Sequence, residues 1–299
     1  MKVKRNYKDS IFRMLYLDEK ELLSLYNAVN HTNYTDVENL KINTLQNAIY
    51  MNMKNDVSFL FNFQVNLYEQ QSTVNPNMPL RDLIYVSKLL QNMIRDCDLY
   101  GSTLVKIPAP RFVVFYNGTE KQPERMVYRL SDSFSKKQEN PELELTVTVL
   151  NINAGNNKEI LGRCKTLRDY MLYTDKVRTY AMNMPIEKAV EKAVTECIKE
   201  DILAEFLKKN RAEAMEVSIF EYNEELHLAN LRREGYEEGL EHGITQGKSI
   251  SVLELLDELG VVNDDLRCRI SDQMQEEILS KWLKLAARVN SIQEFEELM

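Results

Sequence analysis

Asp56 and Glu69 are the residues of this 299-residue chain whose spacing most directly offers chemistry. Asp56–Phe61 and Gln64–Gln71 read as strands, separated only by Asn62–Phe63. In an antiparallel hairpin with a two-residue turn, facing positions here sum to 125, so Phe61 meets Gln64 and Asp56 meets Glu69. Directly opposed residues have Cβ atoms about 4.5–5.5 Å apart. Gln71 lies two residues beyond Glu69 and points to the same face. Two like charges so placed destabilise a sheet unless something neutralises them. A divalent cation does so: Mg²⁺ takes one or two carboxylates and leaves its other positions to water and substrate phosphate. Mn²⁺ and Ca²⁺ are alternatives. Such a metal activates water and stabilises charge on a phosphodiester. The competing reading is that both carboxylates end an edge strand and face solvent. The turn itself is unfavourable, because a two-residue hairpin turn of this kind asks Phe63 for φ > 0.

The elements that must position this hairpin follow from periodicity. Ser10–Tyr16 and Glu19–Val29 read as helices. Pro79–Asp96 opens with Pro in a first-turn position and reads as another. Arg111–Tyr116 is a buried strand before the turn at Asn117–Gly118, and Leu143–Asn151 is a further strand. Leu161–Tyr173 reads as a helix. Helices and strands mixed in this order imply an α/β core with a mixed sheet.

All seven Pro lie at or before Pro185. The remainder is free of the residue that breaks helix interiors, and apolar stripes at helical spacing run through it. Charge divides at the same place. Residues 1–182 hold 24 Lys+Arg and 20 Asp+Glu, while residues 183–299 hold 14 and 26, so the net −8 is the sum of +4 and −12. The expected organisation is an α/β domain over 1–182 and an acidic helical region over 183–299. The acidic region carries the charge that would otherwise oppose nucleic-acid binding. It is also able to dock on the +4 half and compete with DNA.

Other classes lose support. The four Cys form no CxxC pair, and the three His are far apart with no HExxH. Neither GxxxxGK[ST] nor GxGxxG occurs. No apolar run approaches the ~20 residues that span a bilayer, and Asn6–Asp9 stands where a signal peptide places its apolar stretch. No membrane association and a cytoplasmic location are therefore expected.

Lys54–Leu89 reads KNDVSFLFNFQVNLYEQQSTVNPNMPLRDLIYVSKL. It resembles the Rpn family of recombination-promoting nucleases, or putative transposases, of the PD-(D/E)XK nuclease superfamily. The usual pattern is an Asp opening one strand and then an EHQST-NPNMPLR---Y block. Here the block is Glu69–Gln70–Gln71–Ser72–Thr73, Asn75–Pro76–Asn77–Met78–Pro79–Leu80–Arg81 and Tyr85, with Gln70 where His is common. Asp9–Ser10–Ile11–Phe12–Arg13, Phe115–Tyr116–Asn117–Gly118, Leu150–Asn151–Ile152–Asn153 and the segment Arg211–Ala212–Glu213 are further matches.

The resemblance implies a PD-(D/E)XK restriction-endonuclease-like core and a metal-dependent DNA endonuclease with roles in recombination, mobile elements or phage defence. Asp56 and Glu69 become the metal ligands. Gln71 takes the position of the superfamily's Lys, offering a neutral amide instead of a cation. Lys54, expected opposite Gln71, is a candidate displaced cation. Asp9 either completes the site or caps the first helix. Arg81, Tyr85 and Lys88 share a helix face and either grip the DNA backbone or, for Arg81, pair with a carboxylate of the fold. An inactive nuclease fold serving as a binding or regulatory module is the alternative.

Arg232–Lys248 contains Gly235, Gly239, Gly243 and Gly247. In a helix over 232–248 they form a slowly winding bare stripe, each costing ~1 kcal/mol relative to Ala. The stripe is read as a surface for self-association, as a rigid arm, or as a linker.

Overall fold

The computed structural model describes residues 10–43 and 56–299. In chain order the elements are α1 (Ile11–Tyr16), α2 (Glu19–Asn30), β1 (Lys41–Ile42), β2 (Val57–Phe61), β3 (Gln64–Gln71) and α3 (Met78–Met93). Then follow β4 (Ala109–Tyr116), β5 (Arg125–Arg129), β6 (Thr146–Asn151), α4 (Lys158–Arg163), α5 (Lys165–Ala181), α6 (Ile186–Lys199), α7 (Ala204–Lys209) and α8 (Arg211–Leu259). Short helices α9 (Asp264–Ser271), α10 (Glu276–Ala286) and α11 (Ile292–Leu298) end the chain.

Among the described residues the sheet has six strands in the order β1-β2-β3-β4-β6-β5. It is mixed: β2–β3 and β5–β6 are antiparallel, while β3–β4 and β4–β6 are parallel. The fold is α/β, with helices on both faces and a helical C-terminal part. One face packs Phe59, Tyr68, Val113 and Phe115 against α1, α2, α4 and α5. The other packs Val65, Leu67, Val114 and Val149 against Met78, Tyr85, Val86 and Leu89 of α3.

The hairpin register is the expected one, from Val57↔Tyr68 to Phe61↔Gln64. The turn forms despite Phe63: Asn62 has φ 48° and Phe63 φ 60°. Tertiary hydrogen bonds hold it there. The Asn62 amide donates to the Tyr34 hydroxyl at 3.1 Å. The Phe63 carbonyl accepts from the Ala109 amide at 3.2 Å. The Phe63 ring stays in solvent, so the left-handed backbone does not have to bury it.

The structure departs from the expected elements. The helix expected over Leu161–Tyr173 is two helices, broken where Cys164 is extended at φ −123°, ψ 98°. This buries the thiol 3.7 Å from the Tyr16 hydroxyl. Strand β5 was not anticipated, because its alternation of exposed and half-buried residues is that of a short edge strand.

The compact units divide after Leu226, not near residue 183. Ala193, Val194, Cys197, Leu203, Leu207 and Ala214 are buried in the sheet unit's core. Arg178 of α5 also grips Glu225 of α8 at 3.0 Å. The loss of Pro at 185 marks where helices take over, not where a core ends. Charge changes with the boundary: His227–Met299 carries 8 Lys+Arg against 15 Asp+Glu, leaving 30 against 31 up to Leu226. The sheet unit is therefore nearly neutral, not +4.

In the second unit, α9, α10 and α11 close a small core with the end of α8, built on Leu256, Leu266, Ile270, Ala286 and Phe295. Positions 235, 239, 243 and 247 all lie within α8, and among the described residues no side chain or other element packs within 4 Å of where their Cβ atoms would stand. No helix among the described residues is long and apolar enough to cross a membrane.

The strand ends meet in a tight corner. The Asn117 amide donates to the Gln71 carbonyl at 3.0 Å, and the Asn153 side chain donates to the Gly118 carbonyl at 2.9 Å. A Cβ on Gly118 would stand 1.9 Å from the Ser72 carbonyl oxygen. Backbone cannot yield as a flexible side chain does, so Gly118→Ala is expected to destabilise the sheet unit by at least about 2 kcal/mol, read as a lowered urea midpoint.

Candidate functional site

The site is built where the hairpin opens and α3 begins. Glu69, six strand positions into β3, is only 8% exposed. The chain then turns directly into α3, with Pro79 in its first turn. This brings Met78 and Arg81 back over the carboxylate. The Arg81 guanidinium (Nη2) donates to Glu69 Oε1 at 3.0 Å. The Gln71 amide donates to the same oxygen at 3.0 Å and to Met78 Sδ at 2.8 Å. The second guanidinium arm reaches Met78 Sδ at 3.3 Å.

Asp56 stands at the open end of the hairpin, one step beyond the Val57↔Tyr68 pair. Both of its oxygens are engaged. Oδ2 accepts the Gln70 backbone N–H at 2.8 Å, and Oδ1 accepts the Ser10 hydroxyl at 3.1 Å. Burial raises its pKa above the ordinary Asp value, against the lowering effects of the Gln70 and Ser10 hydrogen bonds, Arg13 and Arg81. Burial also pushes Glu69 up to about 7. Arg81 opposes that shift, and the nearby Asp56 adds to it.

The structure thus brings Asp56, Glu69, Gln71 and Arg81 together. Asp9 and Lys54 lie outside the described residues. The shared helix face expected for Arg81, Tyr85 and Lys88 is turned to the sheet rather than outward. Tyr85 is 4% exposed, with its hydroxyl 3.4 Å from Ser58 Oγ. Lys88 is half-buried one turn further on. Tyr85 packs in the core, so its ring is not available to a DNA backbone.

Two acids missed in the sequence belong to this neighbourhood. Asp82 is 4% exposed on α3. Its pKa is held well above the usual carboxylate range by burial first and by the Glu69 charge second. Its signal was readable: a carboxylate within the apolar spacing Met78, Tyr85, Val86, Leu89. Glu221 of α8 accepts the Ile11 backbone N–H at 3.1 Å, across 210 residues of sequence. Burial pushes its pKa up to about 8, and Asp56 adds to the shift. No local pattern marks it.

The donor set suits a hard cation. Asp56, Glu69 and the Gln71 amide offer oxygen ligands. Among the described residues, no three His, Cys, Asp or Glu side chains are grouped to hold a metal ion. An ion here would draw on two carboxylates and take its remaining ligands from water and substrate, the habit of Mg²⁺.

Comparison with protein-family models, curated proteins and solved structures finds no match to this chain.

A raised carboxylate pKa makes folding favour the protonated form. Glu69 goes from 4.5 to about 7 on folding, so its contribution is full below about pH 4.5 and is lost as pH rises through 7. In chelator, the wild type is expected to lose stability relative to Glu69→Gln across that window. Parallel melting-temperature profiles for the two proteins would contradict this.

Proposed function

We propose that this protein is a metal-dependent DNA endonuclease with an Rpn-like PD-(D/E)XK site. The carrying observation is the pair of carboxylates, Asp56 and Glu69, held at the mouth of one hairpin with the Arg81 guanidinium on Glu69. The likeness of the Glu69–Tyr85 block to that family supports the same reading.

Asp56 and Glu69 hold Mg²⁺. When bound, the ion supplies charge stabilisation at phosphorus and activates water. The chain's own residues do the rest. Arg81 provides the positive charge that Gln71, in the superfamily's Lys position, lacks. Its guanidinium fork matches phosphate geometry. The Gln71 amide donates or accepts a hydrogen bond to orient water or substrate. The near-neutral charge of the sheet unit leaves phosphate recognition to local groups rather than to a broad basic surface.

A second reading follows from the Arg81–Glu69 ion pair, which already neutralises the carboxylate without any metal. On that reading the fold is a binding or regulatory module with little or no catalysis. Thermal stabilisation by Mg²⁺ or Mn²⁺ separates the two, because a closed, inert site gains none.

Asp56→Ala and Glu69→Ala are each expected to lower Mg²⁺-dependent plasmid nicking at least about a thousandfold, roughly 4 kcal/mol of transition-state stabilisation, with circular dichroism unchanged. Undiminished cleavage by either variant overturns the assignment.

A further inference from the structure

We propose that Ser10 and Glu221 are positioning residues for Asp56, linking the long helix α8 through the first turn of α1 to the candidate metal acid. The inference rests on the metal reading above and assigns residues that reading does not use.

The link is continuous in hydrogen bonds. Asp56 Oδ1 accepts the Ser10 hydroxyl at 3.1 Å. The same oxygen of Ser10 accepts the Arg13 backbone N–H at 3.0 Å, as the N-cap of α1. One hydroxyl thus caps the helix and donates to the acid, so the direction of the Asp56 carboxylate depends on where α1 starts. The next backbone donor, Ile11 N–H, has no acceptor within a helix at this position. Glu221 Oε1 takes it at 3.1 Å. Glu221 is itself fixed, because α8 is held to α5 on both sides of it. Tyr173 meets Ser218 at 2.7 Å, and Arg178 meets Glu225 at 3.0 Å.

The core anchors α1 independently. The Phe12 ring lies 5.4 Å from Phe115 and 5.8 Å from Tyr170, centroid to centroid. Removing Glu221 should therefore leave the helix in place and release only its first turn, with Ser10 on it. Stability and metal affinity then respond differently. Hydrogen-bond partners of metal-binding carboxylates typically contribute 10–100-fold in metal affinity.

Calorimetric titration of the full-length protein with Mn²⁺ tests the link. Ser10→Ala and Glu221→Ala are each expected to weaken binding about tenfold. Ser10→Thr retains the hydroxyl and Glu221→Gln retains the acceptor oxygen, so both stay within about twofold of wild type. In a Ser10→Ala background, Glu221→Ala costs nothing further, because the effect passes through Ser10. Additive losses, wild-type affinity in Glu221→Ala, or an equal loss in Glu221→Gln overturns the link. Glu221→Met, similar in length but without an acceptor oxygen, serves if the Ala variant loses its fold. A wild type that binds no Mn²⁺ removes the metal reading itself. A wild type that binds, with Glu221→Ala unchanged, removes only the link.

Discussion

Glu69 is a carboxylate carried into a nearly closed interior, and the arrangement around it answers that single constraint. An unpaired buried charge is expensive. The cost is met from the adjoining helix. The turn after β3 is short, and Arg81 falls one turn into α3, where its guanidinium lands on Glu69 Oε1. The Gln71 amide shares that oxygen. Met78 sits beneath both donors with its sulfur as a weak acceptor. The resulting cluster is still not fully compensated: the Glu69 pKa stays near 7. A buried ion pair of this kind is poor evidence for stability and better evidence that the position is kept for its charge. Asp82, buried without the guanidinium that Glu69 has on its oxygen, adds to the imbalance.

Much of this was legible in the sequence because hairpins obey parity. Once Asn62–Phe63 is taken as the turn, every facing pair is fixed, and the observed register agrees residue for residue. The start of α3 was legible from Pro79, and β3 matched its expected bounds. The misses have separate physical causes. The Asn62–Phe63 turn depends on the Asn62 amide donating to the Tyr34 hydroxyl and on the Ala109 N–H donating to the Phe63 carbonyl, partners that strand periodicity does not see. Tyr85 was placed on a functional face because helical spacing groups residues without saying which way the group points. The boundary near 183 followed composition, yet α6, α7 and the start of α8 bury their apolar stripes on the sheet unit. Glu221 could not be seen at all, since only the folded chain brings it to Ile11.

The corner beyond the strands explains why several short motifs lie far apart in sequence and close in space. Ser72, Asn117, Gly118, Asn151 and Asn153 meet through backbone carbonyls and amides rather than through side-chain bulk. Asn117 also takes part in the Arg178–Glu225 contact by accepting a guanidinium hydrogen bond at 2.6 Å. The end of β3, which carries Gln71, is thereby tied to the same residues that hold α8 on the sheet unit.

The four glycines of α8 have a thermodynamic consequence. Each destabilises its helical turn by ~1 kcal/mol relative to Ala, and among the described residues no side chain or other element packs where its Cβ would stand. Tyr236 and Leu240, set among them, are mostly in solvent. Local opening there exposes little new apolar surface, so amide hydrogens between Gly235 and Gly247 should exchange faster than those of either flanking core. A helix weak at its middle is a poor conductor of cooperativity. The two cores can then melt as separate events, and damage to one need not unfold the other.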